Sequence, residues 1–203
     1  MNTKKKTFDK VLDIFVLQKG VRDITQKQNV WQSWIEANNG SFQLRRTSDK
    51  TYTILKGEIP YRGFTLRYLE SDHKPLKVEC ALGPGTPFSL NFWKEDLTER
   101  ILQMFGQQDI QLGDEDFDLA YNIQSDNQNL ARDFLRWGDL PRRIRDLDIP
   151  SFRISDEEGE KVFACVFGFT LDKQESYQHA HNLVCIVIDR LIEMSIVRES
   201  DVV

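Results

Sequence analysis

The chain has 203 residues, of which 40% are hydrophobic and 29% are charged, and its net charge is -5. A chain of this length buries roughly 70% of its unfolded surface, so it needs neither disulfides nor metal to fold. The composition excludes a disordered protein, and the acidic balance argues against a general nucleic-acid-binding protein. We therefore expect a soluble globular protein without a nucleic-acid partner.

The cysteines and the apolar segments indicate the compartment. The chain has three cysteines, Cys80, Cys165 and Cys185, an odd number with no C-x-x-C spacing. This favours reduced thiols in a cytoplasmic protein. A basic cluster near the start precedes apolar residues, but charged residues interrupt them, unlike a signal peptide. The longest apolar run, "VFACVFGF", is far shorter than the ~20 residues that span a bilayer. We expect a cytoplasmic protein that does not insert into a membrane.

Two stripes of apolar residues at helical spacing precede residue 40. The spacing leaves open whether residues 7–38 form one bent helix or two, and Gly40 is predicted to close the helix in the left-handed conformation. We expect a single α+β domain over residues 1–203, with an N-terminal helical segment (1–40) and a sheet-and-helix body (41–203). The stripes are Phe8, Val11, Leu12 and Phe15, then Val21, Ile24, Gln28, Trp31 and Ile35.

From residue 41 the hydrophobic period changes to two. The segments "SFQLRR", "TYTILKGEI", "GFTLRYLE", "LKVECAL" and "FSLNFW" are predicted strands separated by turn residues. In the fourth segment, Leu76, Val78, Cys80 and Leu82 alternate with polar residues. This pattern predicts an antiparallel meander with one hydrated face.

The second half of the chain mixes helices with a hairpin. Ser125 and Gln128 match a capping box and predict a helix, and Asp139 is predicted to cap a shorter one. "SFRIS" and "KVFACVFGFTL" predict a hairpin whose second strand is central, because both of its faces are apolar. A long helix is predicted from about Gln174 to Val197. A further predicted helix has the apolar stripe Leu97, Ile101, Met104 and Phe105. Together these elements predict a mainly antiparallel sheet with helices on one face.

The stretch "GDEDFDLAYNI" has the densest cluster of acids. Asp114, Asp116 and Asp118 occupy positions one, three and five of a calcium-binding loop, but Leu119 replaces its glycine and Ser125 its final glutamate. In a strand the three aspartates would share one face, where they repel each other without a cation. We interpret the stretch as a hydrated turn leading into the strand "LAYNI". The alternative is a divalent-metal-dependent hydrolase with these three ligands and a bound water as nucleophile.

Two other groups of residues could carry chemistry. His181, Cys185 and Asp189 are spaced four apart on the predicted C-terminal helix and could activate a thiol. A mid-helix thiol lacks the helix N-terminus that lowers the pKa of a reactive cysteine, so packing is favoured. The arginines from 132 to 145 alternate with aspartates, which favours local ion pairs over a phosphate-binding groove.

Two segments together resemble a group of bacterial proteins of uncharacterised function. The group shows a G-x-Y-x-G turn between two strands, then a GD-x-x-FD segment, a short strand and a helix rich in Ala and Leu. The resemblance implies the same order of elements after residue 40 and no known reaction. The segments are "LKGEIPYRGFTLRY" and "GDEDFDLAYNIQSDNQNLARDFL", and the matching positions are Gly57, Tyr61, Gly63, Gly113, Asp114, Phe117, Asp118, Ala131 and Leu135.

The residues of the acidic stretch also predict its local structure. Gly113 should turn the chain and Asp114 should hydrogen-bond the turn. Phe117 should anchor the segment in the core. On this interpretation the stretch is structural.

The sequence contains no G-x-S-x-G, H-E-x-x-H or paired-cysteine motif. We therefore expect a non-catalytic domain, without a cofactor, whose partner is another protein or a second copy of the chain. Some aromatic residues are not easily assigned to the predicted core, namely Tyr61, Phe64, Trp93 and Trp137. Exposed aromatic residues favour interfaces. They are the predicted contact residues.

Overall fold

The computed structural model describes residues 24–46, 53–94, 110–157, 160–168 and 173–199. The predicted helical stripes at 8–15 and 97–105 lie outside these residues. The described part is an α+β fold that combines one sheet with five helices. The helices are α1 (Gln28–Ala37), α2 (Glu115–Ala120), α3 (Gln128–Leu135), α4 (Leu140–Asp146) and α5 (Gln174–Glu193).

The sheet has eight antiparallel strands in the order β1-β2-β3-β4-β8-β7-β5-β6. The first four form the predicted meander, and β8 lies in the middle, as its two apolar faces indicated. β5 does not continue the meander, because the β7–β8 hairpin is inserted beside β4. The strands are β1 (Ser41–Arg46), β2 (Thr53–Tyr61), β3 (Phe64–Ser71), β4 (Lys74–Gly83), β5 (Leu90–Lys94), β6 (Tyr121–Ser125), β7 (Ser151–Glu157) and β8 (Glu160–Val166).

The described helices pack on one face of the sheet, as predicted. In α1 the ring of Trp34 lies 5.0 Å from that of Tyr68 in β3. At the other end of the core, Phe134 of α3 lies 6.2 Å from Phe152 of β7. None of the helices among the described residues is long and apolar enough to cross a membrane.

The end of α1 differs from the prediction. Asn39, with φ of 57°, takes the left-handed conformation that was assigned to Gly40. Gly40 is needed for another reason, since a Cβ there would lie 2.5 Å from the carbonyl oxygen of Glu58. The glycine therefore allows the chain to pass close to β2 as it enters β1.

The starts of α3 and α4 also differ in detail. Asn127, not Ser125, caps α3, because its side chain accepts a hydrogen bond from the Leu130 N–H. Asp139 precedes α4, but its carboxylate binds the Arg142 and Arg143 guanidinium groups instead of a backbone amide. These arginine contacts hold the pKa of Asp139 low, at about 2. The two arginines lie three and four positions after Asp139, so these are the local ion pairs that the alternation of charges predicted, and they occupy the oxygens that a cap would use.

A buried carboxylate ties α1 and α5 to the sheet. Glu70 in β3 is 6% exposed and accepts three hydrogen bonds. The donors are the Lys27 ammonium at 2.5 Å, the Trp31 indole N–H at 3.0 Å and the Tyr177 hydroxyl at 2.9 Å. A buried charge is tolerated only when it is paired and hydrogen-bonded, so this cluster fixes where the two helices sit.

Candidate functional site

The acidic stretch forms a turn and a short helix rather than a strand. Gly113 turns the chain with φ of 79°, and the Asp114 carboxylate accepts from the Phe117 N–H at 3.0 Å. That bond caps α2, and β6 begins only at Tyr121. The predicted roles of Gly113 and Asp114 are confirmed, whereas the strand "LAYNI" was assigned too early.

The helical geometry separates the three aspartates proposed as metal ligands. Asp118 accepts from the backbone N–H groups of Leu112 and Gly113, each at 2.7 Å. Asp116 is 81% exposed and lies 2.9 Å from Arg145, which also contacts Asp114. Within the described ranges, no group of three or more His, Cys, Asp or Glu side chains is placed to hold a metal ion. Successive helical positions differ by about 100°, so alternate residues do not share a face as they would in a strand.

Metal should add nothing to stability if these carboxylates are structural. A ligand cage saturated at 100 times its dissociation constant would stabilise the fold by ~2.7 kcal/mol. We expect the melting temperature to be unchanged by millimolar magnesium or calcium, in both wild-type protein and Asp116→Asn. A clear rise with either ion that disappears in Asp116→Asn would restore the hydrolase hypothesis.

Phe117 is the apolar anchor of this segment, as predicted. Its side chain is fully buried, stacks on Tyr121 at 4.6 Å and meets Phe92 edge-on at 5.8 Å. Leu119, which a strand would place beside it, is instead 77% exposed. Because residues two apart lie on opposite sides of a helix, the exposed Leu119 is a surface feature that the strand interpretation missed.

The histidine and cysteine of α5 belong to a cluster in which His181 is buried and Cys185 is partly buried. His181 is 7% exposed, with Nδ1 2.6 Å from the Tyr68 hydroxyl and Nε2 3.5 Å from the Cys185 sulfur. Asp189, the third residue of the series, accepts a hydrogen bond from the Tyr61 hydroxyl at 2.9 Å and pairs with Arg62 at the same distance. The carboxylate therefore orients Tyr61 and the β2–β3 turn, not the imidazole.

The electrostatics of this cluster oppose thiol chemistry. Burial, helped by the negative charge of Asp189, raises the pKa of Cys185 to about 12. Burial lowers the pKa of His181 below its ordinary value. A neutral imidazole beside a protonated thiol is the reverse of the ion pair that activates a nucleophilic cysteine.

Thiol labelling tests this assignment. Because only the thiolate reacts, Cys185 in native protein should react slowly at pH 8, and its rate should still be rising with pH at pH 10. After denaturation all three cysteines should react rapidly and completely. The measurement is a time course with a chromogenic disulfide reagent; rapid native labelling of Cys185 that His181→Ala suppresses would revive the nucleophile hypothesis.

Two of the four predicted contact aromatics are buried. Phe64 is 4% exposed and Trp93 is 1% exposed, so both predictions of surface contact are wrong. Phe64 begins β3 on the helix-covered face. Trp93 lies in β5 on the opposite face, where its cross-strand neighbours Asn122 and Ser151 are also buried. Tyr61 is half-buried, and burial together with its hydrogen bond to Asp189 raises its pKa to about 12.

Trp137 is the predicted contact residue that the structure leaves exposed, at 36%. It follows α3, and the guanidinium of Arg190 in α5 lies 5.6 Å from the centre of its ring. The ring borders a shallow depression of about 590 Å³ between the end of α3 and the end of α5. We call this depression the Trp137 surface; its lining residues are Leu130, Asp133, Arg136, Trp137, Gly138, Arg190 and Met194.

Comparison with known proteins adds information on the fold. No protein-family model and no curated protein sequence matches the chain, so the resemblance to the uncharacterised bacterial group stays a prediction. Among solved structures, the chain is similar to the crystal structure of the mycobacterial trehalose monomycolate transport factor A, TtfA, with a TM-score of 0.56 and 11% identity. The similarity covers 89% of this chain and 99% of TtfA, and at this identity it shows the fold alone.

Proposed function

We propose that this chain is a non-catalytic accessory domain that acts by binding another protein through the Trp137 surface. The observation that carries the proposal is the exposed Trp137 ring beside Arg190, since Trp and Arg are the residue types most enriched among binding hot spots. The groups that suggested catalysis are held in structural contacts: the aspartates of the acidic stretch by backbone amides and Arg145, and Cys185 by burial.

Two arginine hydrogen bonds connect the Trp137 surface to neighbouring segments. The Arg190 guanidinium donates to the Asp133 carbonyl at 3.3 Å, which links α5 to α3. The Arg136 guanidinium donates to the Leu112 carbonyl, which links α3 to the turn before α2. A preorganised surface loses little side-chain entropy on binding, so an apolar side chain of a partner could use the depression efficiently.

Further support is indirect. TtfA, whose fold this chain resembles, is named a transport factor, and an accessory role of that general kind fits a domain without catalytic chemistry. We propose a cytoplasmic location from the free cysteines, Cys80, Cys165 and Cys185. We also retain the proposal that the chain belongs with the uncharacterised bacterial group.

The test compares binding by three forms of the chain. Wild type, Trp137→Ala and Thr65→Ala are immobilised and exposed to an extract of the source organism, and captured proteins are quantified. Thr65 is an exposed residue of β3 on the other face of the sheet, so its variant is the matched control. Protein retained by wild type and Thr65→Ala should be lost with Trp137→Ala.

The captured partner is then purified and titrated. Truncation of a hot-spot tryptophan costs ~2 kcal/mol or more, about a 30-fold loss of affinity. Circular dichroism of the variants should match wild type, because Trp137 lies outside the buried core. Equal capture by all three forms would contradict the assignment of Trp137 as the contact.

A further inference from the structure

β1 is an edge strand of the described sheet. It stands first in the strand order, and among the described residues no strand pairs with its outer side. Its residues are exposed or half-buried throughout, and the segment "SFQLRR" has no proline, glycine or bulge to block an incoming strand. Such an edge is a template for another strand unless something protects it.

The β2–β3 hairpin shows which backbone groups of β1 point outward. Arg62 and Gly63 both have positive φ, of 47° and 75°, so they form a type I′ turn whose flanking pair, Tyr61 and Phe64, exchanges hydrogen bonds. The direction of backbone hydrogen bonding alternates along an antiparallel strand. Counting back from Tyr61, every second residue of β2 therefore forms its backbone hydrogen bonds with β3. The residues between them form theirs with β1.

This alternation divides the residues of β1 into two sets. Ser41, Gln43 and Arg45 lie opposite the β2 residues that bond β1, so their N–H and C=O groups are used within the sheet. Phe42, Leu44 and Arg46 must then direct their N–H and C=O groups away from the sheet. An incoming strand would bond to these three residues.

We infer that β1 pairs with β1 of a second copy of this chain, antiparallel, about a twofold axis at Gln43. In this register Phe42 of each copy exchanges two hydrogen bonds with Leu44 of the other. Gln43 faces Gln43 in the closer, non-hydrogen-bonded pair, and Ser41 faces Arg45. The two sheets then form one continuous sheet across the dimer.

The charges on the hydrated face select this register. Ser41 is paired with Glu58, which is paired with Arg67 in β3, and the Arg67 and Glu58 side chains lie 3.6 Å apart. Arg45 of the second copy would lie beside the small Ser41 and bring its positive charge near Glu58. The facing side chains on neighbouring strands would then be Arg67, Glu58, Ser41 and Arg45 in that order. The charges in this row alternate in sign, which favours cross-strand pairing.

The neighbouring register is disfavoured. Centring the axis on Leu44 would place Arg45 of one copy opposite Gln43 of the other. Gln43 is paired with Lys56, so the arginine would extend a row that already carries a positive charge. Like charges close together across strands are destabilising, and the register at Gln43 avoids them.

The helix-covered face favours the same pairing. Phe42 and Leu44 are half-buried and pack against the core, and the Phe42 ring lies 6.4 Å from Trp31 of α1. A second copy would place its own Leu44 and Phe42 beside them and cover their exposed parts. The apolar layer under the sheet would continue across the axis, which identifies a second copy as the occupant.

Disulfide trapping tests the register in the full chain. Facing residues in the non-hydrogen-bonded pair have Cα atoms ~4.5 Å apart, within the range of a disulfide. Gln43→Cys should therefore form a covalent dimer under mild oxidation. Arg45→Cys is the control, since the two Arg45 positions of the dimer would lie ~14 Å apart. Neither this variant nor wild type should form a covalent dimer. A mixture of Ser41→Cys and Arg45→Cys chains should form a mixed dimer, because these two positions face each other. Dimer from Leu44→Cys alone, or from Arg45→Cys as readily as Gln43→Cys, would overturn the register.

Sedimentation tests the association itself. Wild type should show a concentration-dependent dimer, and Leu44→Pro should be monomeric with an unchanged circular dichroism spectrum, because it removes an outward N–H. If that variant misfolds, Arg45→Glu serves instead; it places like charges near Glu58 and should weaken the dimer about tenfold at low salt. A wild type that stays monomeric at ~1 mM would overturn the inference.

Trp137→Ala should dimerise normally, so the outcome of this experiment is independent of the proposed function.

Discussion

Replacing Phe117 with alanine should lower the free energy of unfolding by ~3–5 kcal/mol, the usual cost of truncating a buried phenylalanine. The ring is fully buried between Phe92 and Tyr121, and it also holds α2 against β5 and β6. A domain has only ~5–15 kcal/mol of stability in total. The variant should therefore be partly unfolded or poorly soluble, as measured by urea denaturation.

Two neighbouring variants control for the position. Asp116→Ala removes an exposed charge and should change stability by less than ~0.5 kcal/mol. Asp118→Ala should cost ~1 kcal/mol, in the range of a lost helix cap, because its carboxylate accepts from two backbone N–H groups. If Asp116→Ala were the most damaging and Phe117→Ala harmless, the acidic stretch would be a functional site and not a structural turn.

Replacing Glu70 with alanine should cost ~3–5 kcal/mol, as expected when one partner of a buried ion pair is removed. The change removes the acceptor shared by Lys27, Trp31 and Tyr177. Loss of this carboxylate takes away the acceptor of the buried Trp31 indole N–H and a link between both helices and β3. The urea midpoint is the measurement.

Glu58→Ala is the matched control for Glu70. Glu58 lies on the hydrated face of the neighbouring strand, with its side chain 53% exposed, and pairs with Arg67 at the surface. Surface ion pairs contribute at most ~1 kcal/mol, so this variant should remain near wild type. Glu70→Gln, which keeps an acceptor oxygen but not the charge, should be intermediate. Equal effects of Glu58→Ala and Glu70→Ala would mean that the buried cluster does not position the helices.

Features determined by local periodicity could be predicted from the sequence. The alternation in β4 predicted which residues face the core, and Leu76, Val78, Cys80 and Leu82 are all buried. The two apolar faces of β8 placed it at the centre of the sheet. The apolar arc near the C-terminus predicted the start of α5 and placed its end four residues too late, at Val197 instead of Glu193. These predictions succeed because side-chain direction repeats every 2 residues in a strand and every 3.6 in a helix.

Tertiary structure decided the features that depend on distant partners. Residues 115–120 form a helix rather than a strand because Asp114 caps it and Arg145, thirty-one positions beyond Asp114, binds both Asp114 and Asp116. Phe64 and Trp93 are as aromatic as Trp137, yet only the position of each in the sheet determines that they are buried and Trp137 is exposed. The position of β1 at the edge of the described sheet likewise depends on the strand order. Period and propensity are properties of neighbouring residues, whereas strand order, shared acceptors and exposure arise only when segments far apart in the chain meet.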